Sequence, residues 1–416
     1  MGESLYVISN PVDAAEIARH SQEFSLEPLA KDLLLKLGIS KPATDRLFLT
    51  NGSPHATDTI IDIYRQHISP GKVLDQFVEL DVIPRLTAII SPVELGLGPG
   101  ETTTVSLHRL CMKALVNGIV SSYFGDIVLQ IQPDFAACYL DWEETNWKFL
   151  LGLPKFLSKD MWTAQNNMML LFTTYFSLPP DQRGHSNLWV SSVEGVLRDR
   201  DLTNDEISRI FMLHTSSIVG NMYKVCFWLV THLLGDRELL RSITLEIQPA
   251  IDLQTHAVDH VYLTEYCPLL DSLYSEVLRL VVTSPMTRVI TSTSTVSGKT
   301  LQKGSKVLVL YRQLHLDRST WGSSPETLQP ERFLHDKTLK TKVAYRPWGG
   351  GKHVCPGRFL VKKAVFAFVA LLLGQYDIEP VEGQVFPHAD LKKPTSGVAA
   401  IANGKNFMVS LRRKIE

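Results

Sequence analysis

The segment Tyr345-Arg-Pro-Trp-Gly-Gly-Gly-Lys-His-Val-Cys-Pro-Gly-Arg-Phe-Leu360 determines how the rest of the chain is interpreted. Cys355 precedes a proline, and proline is favoured at the first position of a helix because its missing N–H would have no intrahelical partner there. We therefore expect a helix to begin at Pro356, with Cys355 at its N-terminus. Free N–H groups and the positive end of the helix dipole stabilise a thiolate at such a place. A thiolate there can be a nucleophile, a redox sensor or a metal ligand.

The neighbours of Cys355 are the residue types that a flat, charged ligand requires. The three consecutive glycines that end at Gly351 permit tight turns and let such a ligand lie against the backbone. We expect Trp348 to stack beside the ligand, and His353 and Arg358 to pair with acidic groups at its rim. Two other interpretations are a buried structural cysteine and a metal-free nucleophile with His353 as its base. The second is disfavoured because residues two apart beside a glycine-rich turn are badly placed for a catalytic dyad.

Composition and charge exclude several classes of protein. The chain has 416 residues, of which 44% are hydrophobic and 20% charged, so intrinsic disorder and collagen-like fibres are excluded. A net charge of −1 provides no basic surface for phosphates, so we expect no nucleic-acid partner. The five cysteines are odd in number and far apart, which favours a reducing compartment over a disulfide framework or a zinc finger.

We interpret residues 1–416 as a single domain that is mainly α with a small β component. Leu5 to Ser9 predicts a short strand, and Val12 to His20 predicts a helix. Helical patterns dominate through residue 280, and short β-type runs follow. A last helix is predicted from about Pro356 to Gln375.

The chain carries no sequence signal for membrane insertion. Its N-terminus lacks the charged region and apolar core of a signal peptide or anchor. The longest apolar run, Ala364 to Gly374, reaches only half of the ~20 residues that a membrane span requires. We therefore expect a cytoplasmic or peripherally attached protein.

A long helix is predicted near the middle of the chain. Thr203 and Glu206 form a capping box, and the helical pattern that follows can continue to Gly235. Some 30 residues would make this helix roughly 45 Å long. A glycine in its interior, Gly220, costs about 1 kcal/mol relative to alanine, so we expect it to leave room for a ligand or a neighbouring helix.

The run from Tyr345 to Leu360 resembles the haem-binding loop of the cytochrome P450 superfamily, in which an aromatic residue, Gly-x-Gly, a basic residue and Cys-x-Gly occur at this spacing. The resemblance implies the cytochrome P450 fold and haem b as cofactor, with the thiolate of Cys355 as ligand of the iron. It implies that His353 hydrogen-bonds a haem propionate, and that Trp348 and Gly351 belong to the same cofactor-binding loop. Arg288 stands where the family commonly places a second propionate contact.

Two further motifs occur in the order that this family shows. Glu276 and Arg279 are three residues apart and share a helix face. They are similar to the family's Glu-x-x-Arg motif, and Arg332 resembles the third member of its Glu-Arg-Arg network. The resemblance spans the chain from Leu5 onward. Before Leu5 we expect the membrane anchor, first helix and first strand of the eukaryotic members, which lie on the endoplasmic reticulum, to be missing.

The long helix departs from the monooxygenase pattern. An acid followed by threonine relays protons in those enzymes, whereas the corresponding place here is Gly220-Asn221-Met222. Asn221 can hydrogen-bond but cannot titrate. This triplet, with Trp348, is similar to the group that contains prostacyclin synthase and sterol hydroxylases, and short members resemble fungal biosynthetic enzymes. That group includes isomerases as well as hydroxylases.

We therefore favour a monooxygenase that oxidises a hydrophobic small molecule in secondary metabolism. Asn221 is the candidate catalytic residue, and protons are delivered by ordered water, Asn221, Ser217 or a substrate hydroxyl. The alternatives are an isomerase or dehydratase that acts on a peroxide without external oxygen, and a truncated, non-catalytic remnant. Electrons would come from a separate NADPH-dependent reductase, because the chain has no flavin or nicotinamide fingerprint. We expect a monomer. Three lysines near Cys355 form either a reductase-docking face or an ordinary solvated helix end: Lys352, Lys362 and Lys363.

Overall fold

Helices form most of the secondary structure of this protein, as the sequence predicts. The computed structural model describes residues 4–49, 55–184, 187–252, 255, 257–395, 397–402 and 407–415. Helices α1 to α12 are Pro11–Arg19, Glu27–Lys36, Lys41–Leu47, Ala56–Ile68, Lys72–Phe77, Ile83–Ile89, Leu107–Met112, Gly118–Phe124, Ile127–Ile131, Phe135–Leu150, Lys159–Ser177 and Leu188–Arg198. Helices α13 to α21 are Asn204–Val219, Met222–Leu234, Arg237–Ile247, His260–Glu265, Pro268–Val281, Tyr311–His315, Arg318–Trp321, Arg332–His335 and Arg358–Gln375.

The strands form small sheets at the periphery of the helical body. Strands β1 to β11 are Leu5–Ile8, Phe24–Ser25, Thr102–Ser106, Met286–Ile290, Ser294–Val296, Lys299–Leu301, Lys306–Val309, Tyr376–Pro380, His388–Asp390, Ala400–Ala402 and Met408–Arg413. The largest sheet has the order β1-β7-β4-β2, in which β1 is parallel to β7 and the other pairs are antiparallel. A second sheet has the order β3-β11-β8, and β5-β6 and β9-β10 form two-stranded sheets.

The first strand and helix begin and end almost where the sequence predicts. Asn10 separates them, and its side-chain oxygen accepts hydrogen bonds from the N–H groups of Val12 and Asp13 at 2.8 and 3.3 Å. Pro11 occupies the first turn of the helix, where its missing N–H has no consequence. The local sequence alone therefore defines this boundary.

The long helix predicted from Thr203 to Gly235 is wrong as a single element. The capping box is present, because the Thr203 hydroxyl accepts the N–H of Glu206 while the Glu206 carboxylate accepts the N–H of Thr203. The helix, however, ends at Val219 and a second one begins at Met222. A side-chain carbon at Gly220 would lie 2.5 Å from the hydroxyl oxygen of Tyr139 in α10. The space at this glycine is therefore used by a neighbouring helix.

One carboxylate organises the centre of the fold. Glu276 in α17 is fully buried and receives two hydrogen bonds from Arg279, at 2.7 and 2.8 Å. Arg332 donates its Nε to both oxygens of the same carboxylate at 3.1 Å. Arg279 donates further to the backbone carbonyls of His315 and Pro325, at 2.7 and 2.6 Å. The predicted network of Glu276, Arg279 and Arg332 is confirmed.

Removal of this carboxylate should destabilise the protein strongly. We expect Glu276→Ala to lower the free energy of unfolding by about 3–5 kcal/mol, because two buried guanidinium groups lose their counter-charge. Denaturant titration of the purified protein measures the loss. As a control, Glu238→Ala removes an exposed partner of Arg241, 4.0 Å away, and should leave the unfolding midpoint nearly unchanged. Equal midpoints for the two variants would contradict the role given to Glu276.

Candidate active site

A cavity of about 270 Å³ lies where α13, α14, α17 and α21 meet residues 345–357, which we call the Cys355 loop. Its floor includes Trp348 and Cys355, which the sequence predicted to lie together, and Asn221 lines it as well. The apolar residues that the helices contribute to its walls are Ile218, Met222, Val225, Leu278, Val282 and Val361. Among the described residues that line the cavity, none carries a carboxylate.

The Cys355 loop is closed by its own backbone. The N–H of Cys355 donates to the carbonyl of Trp348 at 2.9 Å, and the side chain of Arg358 donates to the carbonyl of Cys355 at 2.8 Å. The final helix begins at Arg358, so the predicted start at Pro356 is wrong by two residues. Pro356 and Gly357 instead form a turn. The backbone N–H groups of Gly357 and Arg358 still act to lower the pKa of Cys355.

These donors do not make Cys355 a thiolate by themselves. Burial raises the pKa of the Cys355 thiol above its ordinary value, although the N–H groups of Gly357 and Arg358 and the charge of Arg358 act in the opposite direction. The expectation that the helix terminus stabilises the thiolate is therefore insufficient for the free side chain. A metal ion deprotonates a coordinating thiol outright, so this sulfur fits a metal ligand better than a free nucleophile.

Basic residues lie close to Tyr311 and within the Cys355 loop. Arg288 in β4 is buried and donates to the carbonyl of its neighbour Thr287 at 2.7 Å. Tyr311, which lines the cavity, lies close enough to Arg288 that each changes the pKa of the other. Burial, the charge of Arg288 and the charge of Lys352 lower the pKa of His353 below its ordinary value. Arg288 and His353 are thus close enough to interact electrostatically, although neither lines the cavity itself.

The surroundings of Arg288 fit the acidic rim of a haem. Within the described part of the chain, its guanidinium has no carboxylate partner. A buried charge without a counter-charge is costly, so native proteins pair such groups or bind an ion or ligand there. Cys355 and Arg288 therefore supply the two kinds of group that a haem needs, a sulfur ligand and a partner for a propionate.

Arg65 in α4 contacts the Cys355 loop, although no sequence pattern predicted this. Its side chain donates to the carbonyl of Lys352 at 3.2 Å and forms an ion pair with Asp62 at 2.9 Å. Its charge also contributes to the lowered pKa of His353. No local motif marks this residue, because a basic side chain near the end of an amphipathic helix is usually a solvated charge.

Gly351 does not line this cavity, whereas Gly349 does. A side-chain carbon at Gly351 would lie 1.8 Å from the carbonyl oxygen of Ala18 in α1, and its φ of +66° favours glycine. The predicted contact of Gly351 with a flat ligand is thus replaced by a contact with a helix. Of the other predicted loop residues, Trp348 and Cys355 line the cavity, whereas His353 does not.

The two polar candidates for proton delivery both face the cavity. Asn221 accepts a hydrogen bond on its side-chain oxygen from the N–H of Val398 at 2.8 Å. Ser217 donates to the carbonyl of Leu213 in its own helix at 2.9 Å. The acceptor of Asn221 is therefore engaged, and its amide N–H₂ is the group that remains for other partners.

The three lysines considered for reductase docking are all in ion pairs. Lys352 pairs with Asp58 at 3.2 Å, and the other two pairs are Lys362 with Asp271 at 2.8 Å and Lys363 with Asp75 at 3.0 Å. Their charges are therefore compensated within the chain. In the described ranges, no helix combines the length and apolarity needed to cross a bilayer.

Comparison with known proteins identifies the family. The family model described as Cytochrome P450 matches residues 168–406, more than half of the chain. "Cytochrome P450 monooxygenase nodJ" of Hypoxylon pulicicidum is 23% identical over an alignment that covers 99% of this chain and 81% of the relative. The human "7-alpha-hydroxycholest-4-en-3-one 12-alpha-hydroxylase" is 26% identical, and its alignment covers 68% of this chain and 62% of the relative.

Two further comparisons extend this result. "Steroid 17-alpha-hydroxylase/17,20 lyase" of Ictalurus punctatus is 31% identical, over 38% of this chain and 32% of the relative. The solved structure "Retinoic acid bound cyanobacterial CYP120A1" has the same fold, with a TM-score of 0.72 at 18% identity, covering 99% of this chain and 90% of that one. Together with the Cys355 loop and the Glu276 network, these matches show that the chain belongs to the cytochrome P450 family.

Proposed function

We propose that this protein is a haem-thiolate monooxygenase that oxidises a hydrophobic small molecule. The observation that carries the proposal is the cavity itself, which is lined by Cys355 and by Tyr311, a neighbour of the buried Arg288. The relatives named above are monooxygenases and hydroxylases, and the family implies haem with a cysteine ligand.

The residues of the Cys355 loop would hold the cofactor. The Cys355 sulfur would ligate the iron, and the backbone N–H groups of Gly357 and Arg358, which act to lower its pKa, would stabilise the thiolate. Arg288 and His353 would bind propionates, and Trp348 would lie beside the ring. When bound, the haem supplies oxygen activation, because electron donation from the thiolate favours O–O cleavage.

The walls of the cavity support an apolar substrate. Ile218, Met222 and Val282 present hydrocarbon to its interior, and Asn221 and Ser217 are among its few polar groups. Two of the relatives are named for steroid substrates, and others are fungal monooxygenases. We infer a substrate of comparable apolarity, made in secondary metabolism, that is held mainly by burial of its surface.

Proton delivery has to work without a carboxylate on the cavity wall. We infer that ordered water supplies the protons, with the hydroxyl of Ser217 and the amide N–H₂ of Asn221 as its hydrogen-bonding partners. In the family, electrons generally come from a reductase. We propose that a separate NADPH-dependent reductase supplies them to this chain, and that this chain acts as a monomer.

The spectrum of the purified protein tests the assignment of Cys355. We expect the wild type to bind haem and to show the thiolate-type Soret shift after reduction and addition of carbon monoxide. Cys355→Ser should lose that shift, because a serine oxygen does not replace thiolate donation. Cys138→Ser is the control. Cys138 is remote in sequence from the Cys355 loop and its thiol accepts a hydrogen bond from Gln132, so this substitution should leave the spectrum unchanged. A wild type without haem would instead identify a non-catalytic remnant.

An isomerase is the second candidate. No described residue that lines the cavity carries a carboxylate, and this favours the isomerase because rearrangement of a peroxide needs no external proton supply. The two candidates differ in their co-substrates. We expect product only when reductase, NADPH and oxygen are all present, measured by mass spectrometry with an apolar steroid as probe. Redox-neutral isomerisation of a cyclic lipid peroxide under anaerobic conditions without reductase would establish the isomerase and exclude the monooxygenase.

Arg288 should matter for haem retention but not for the fold. We expect Arg288→Met to speed the loss of haem to an acceptor apoprotein by roughly 10- to 100-fold, since a charge-assisted hydrogen bond contributes about 1.5–3 kcal/mol. The same change should not lower the stability of the haem-free protein, because it removes a buried, uncompensated charge. Arg85→Met is the control, since Arg85 pairs with Asp81 and Asp126 and should not affect haem loss. Unaltered haem loss in Arg288→Met would contradict the propionate contact.

A further inference from the structure

A short backbone segment covers one side of the active-site cavity. We call residues 397–399 the roof segment, because Gly397 and Val398 both line the cavity. On one side it is attached to α17 and the residues that follow. The carbonyl of Gly397 accepts two successive backbone N–H groups, at 3.0 and 3.1 Å, and the N–H of Ala399 donates to the carbonyl of Val281 at 2.7 Å.

On its other side the roof segment is attached to α14 by two side chains. The oxygen of the Asn221 amide accepts the N–H of Val398 at 2.8 Å. The indole N–H of Trp228 donates to the carbonyl of Ala399 at 3.1 Å. Asn221 lies between α13 and α14, so it connects the break in the long helix to the segment above the cavity.

The contact between Asn221 and the roof segment depends on a glycine. A side-chain carbon at Gly397 would lie 2.3 Å from the oxygen and 2.4 Å from the nitrogen of the Asn221 amide. The backbone at Gly397 therefore packs directly against this amide. Because both groups are held on their far sides by other elements, neither can shift freely to make room.

We infer that Asn221 is a positioning residue that fixes the roof segment above the cavity, and that it thereby determines which substrates fit and how they are oriented. The inference rests on the proposed function, in which a substrate is oxidised beneath this segment. The inference also accounts for the amide side chain at residue 221. The position needs a hydrogen-bond acceptor for the N–H of Val398, and the amide oxygen supplies one.

Amide exchange measures the attachment directly. We expect Asn221→Ala to accelerate exchange in peptides that span residues 397–402 by about fivefold, the effect of losing one neutral hydrogen bond. Asn221→Asp keeps an acceptor and should restore exchange to within about twofold of the wild type. Ser217→Ala is the matched control, because it lines the same cavity but its hydroxyl bonds only its own helix among the described contacts.

Ligand binding tests the consequence for the cavity. Imidazole and the bulky azole clotrimazole are titrated into the purified protein and followed by optical difference spectra. We expect Asn221→Ala to change the ratio of their two Kd values by about fivefold, with most of the change in clotrimazole, because only the larger ligand reaches the roof segment. A uniform change in both Kd values would indicate a general loss of structure and would overturn the inference.

A double-mutant cycle tests the pair. Gly397→Ala alone should accelerate exchange of the same peptides, since the new carbon collides with the Asn221 amide. In the Asn221→Ala background the added effect of Gly397→Ala should nearly vanish, because the collision partner is gone. Additive effects, or unchanged exchange in Asn221→Ala, would overturn the inference. The carbon monoxide spectrum of the same samples shows separately whether the haem-thiolate assignment fails.

Discussion

The position of the active site depends on one fully buried carboxylate. Glu276 holds Arg279 and Arg332, and Arg279 in turn donates to the backbone of His315. The ring of His315 accepts the N–H of Arg346 at 3.0 Å, at the start of the Cys355 loop. Burial lowers the pKa of His315 to about 3, so its ring stays neutral and remains an acceptor. The loop that carries the sulfur is thus connected to the carboxylate through a continuous series of hydrogen bonds.

The cavity is asymmetric, and this asymmetry suits a ligand with one charged edge. Arg288 supplies a buried positive charge beside Tyr311, which lines the cavity, while the walls formed by α13, α14 and α17 are mainly apolar. Burial of an unpaired guanidinium is tolerated only if a counter-charge arrives, whereas the apolar walls need none. Arg288 would hold the acidic edge of a bound haem, and the apolar walls would contact the rest of the ring.

Sequence reasoning succeeded where the determinants are local and failed where they are tertiary. Asn10 and the proline after it define the start of α1, and the spacing of Glu276 and Arg279 places both on one helix face, so these features follow from short stretches of chain. The contact of Gly351 with α1 and the role of Arg65 depend on segments hundreds of residues away. The break at Gly220 has the same origin, because the hydroxyl that occupies its space belongs to α10.

Two glycines in different parts of the chain make the geometry of the cavity possible. Gly220 admits the hydroxyl of Tyr139 on one side of the helix break, and Gly397 admits the amide of Asn221 on the other. Neither glycine is required by a positive φ, so in each case it is the absent side chain that matters. Because the helix break and the roof segment are joined by the Asn221 hydrogen bond, a displacement at either glycine reaches the cavity wall. Asn221, which lies at the break between α13 and α14, is therefore packed against Gly397 and hydrogen-bonded to the roof segment. This packing, as well as the chemistry of the cavity, determines which residue fits at position 221.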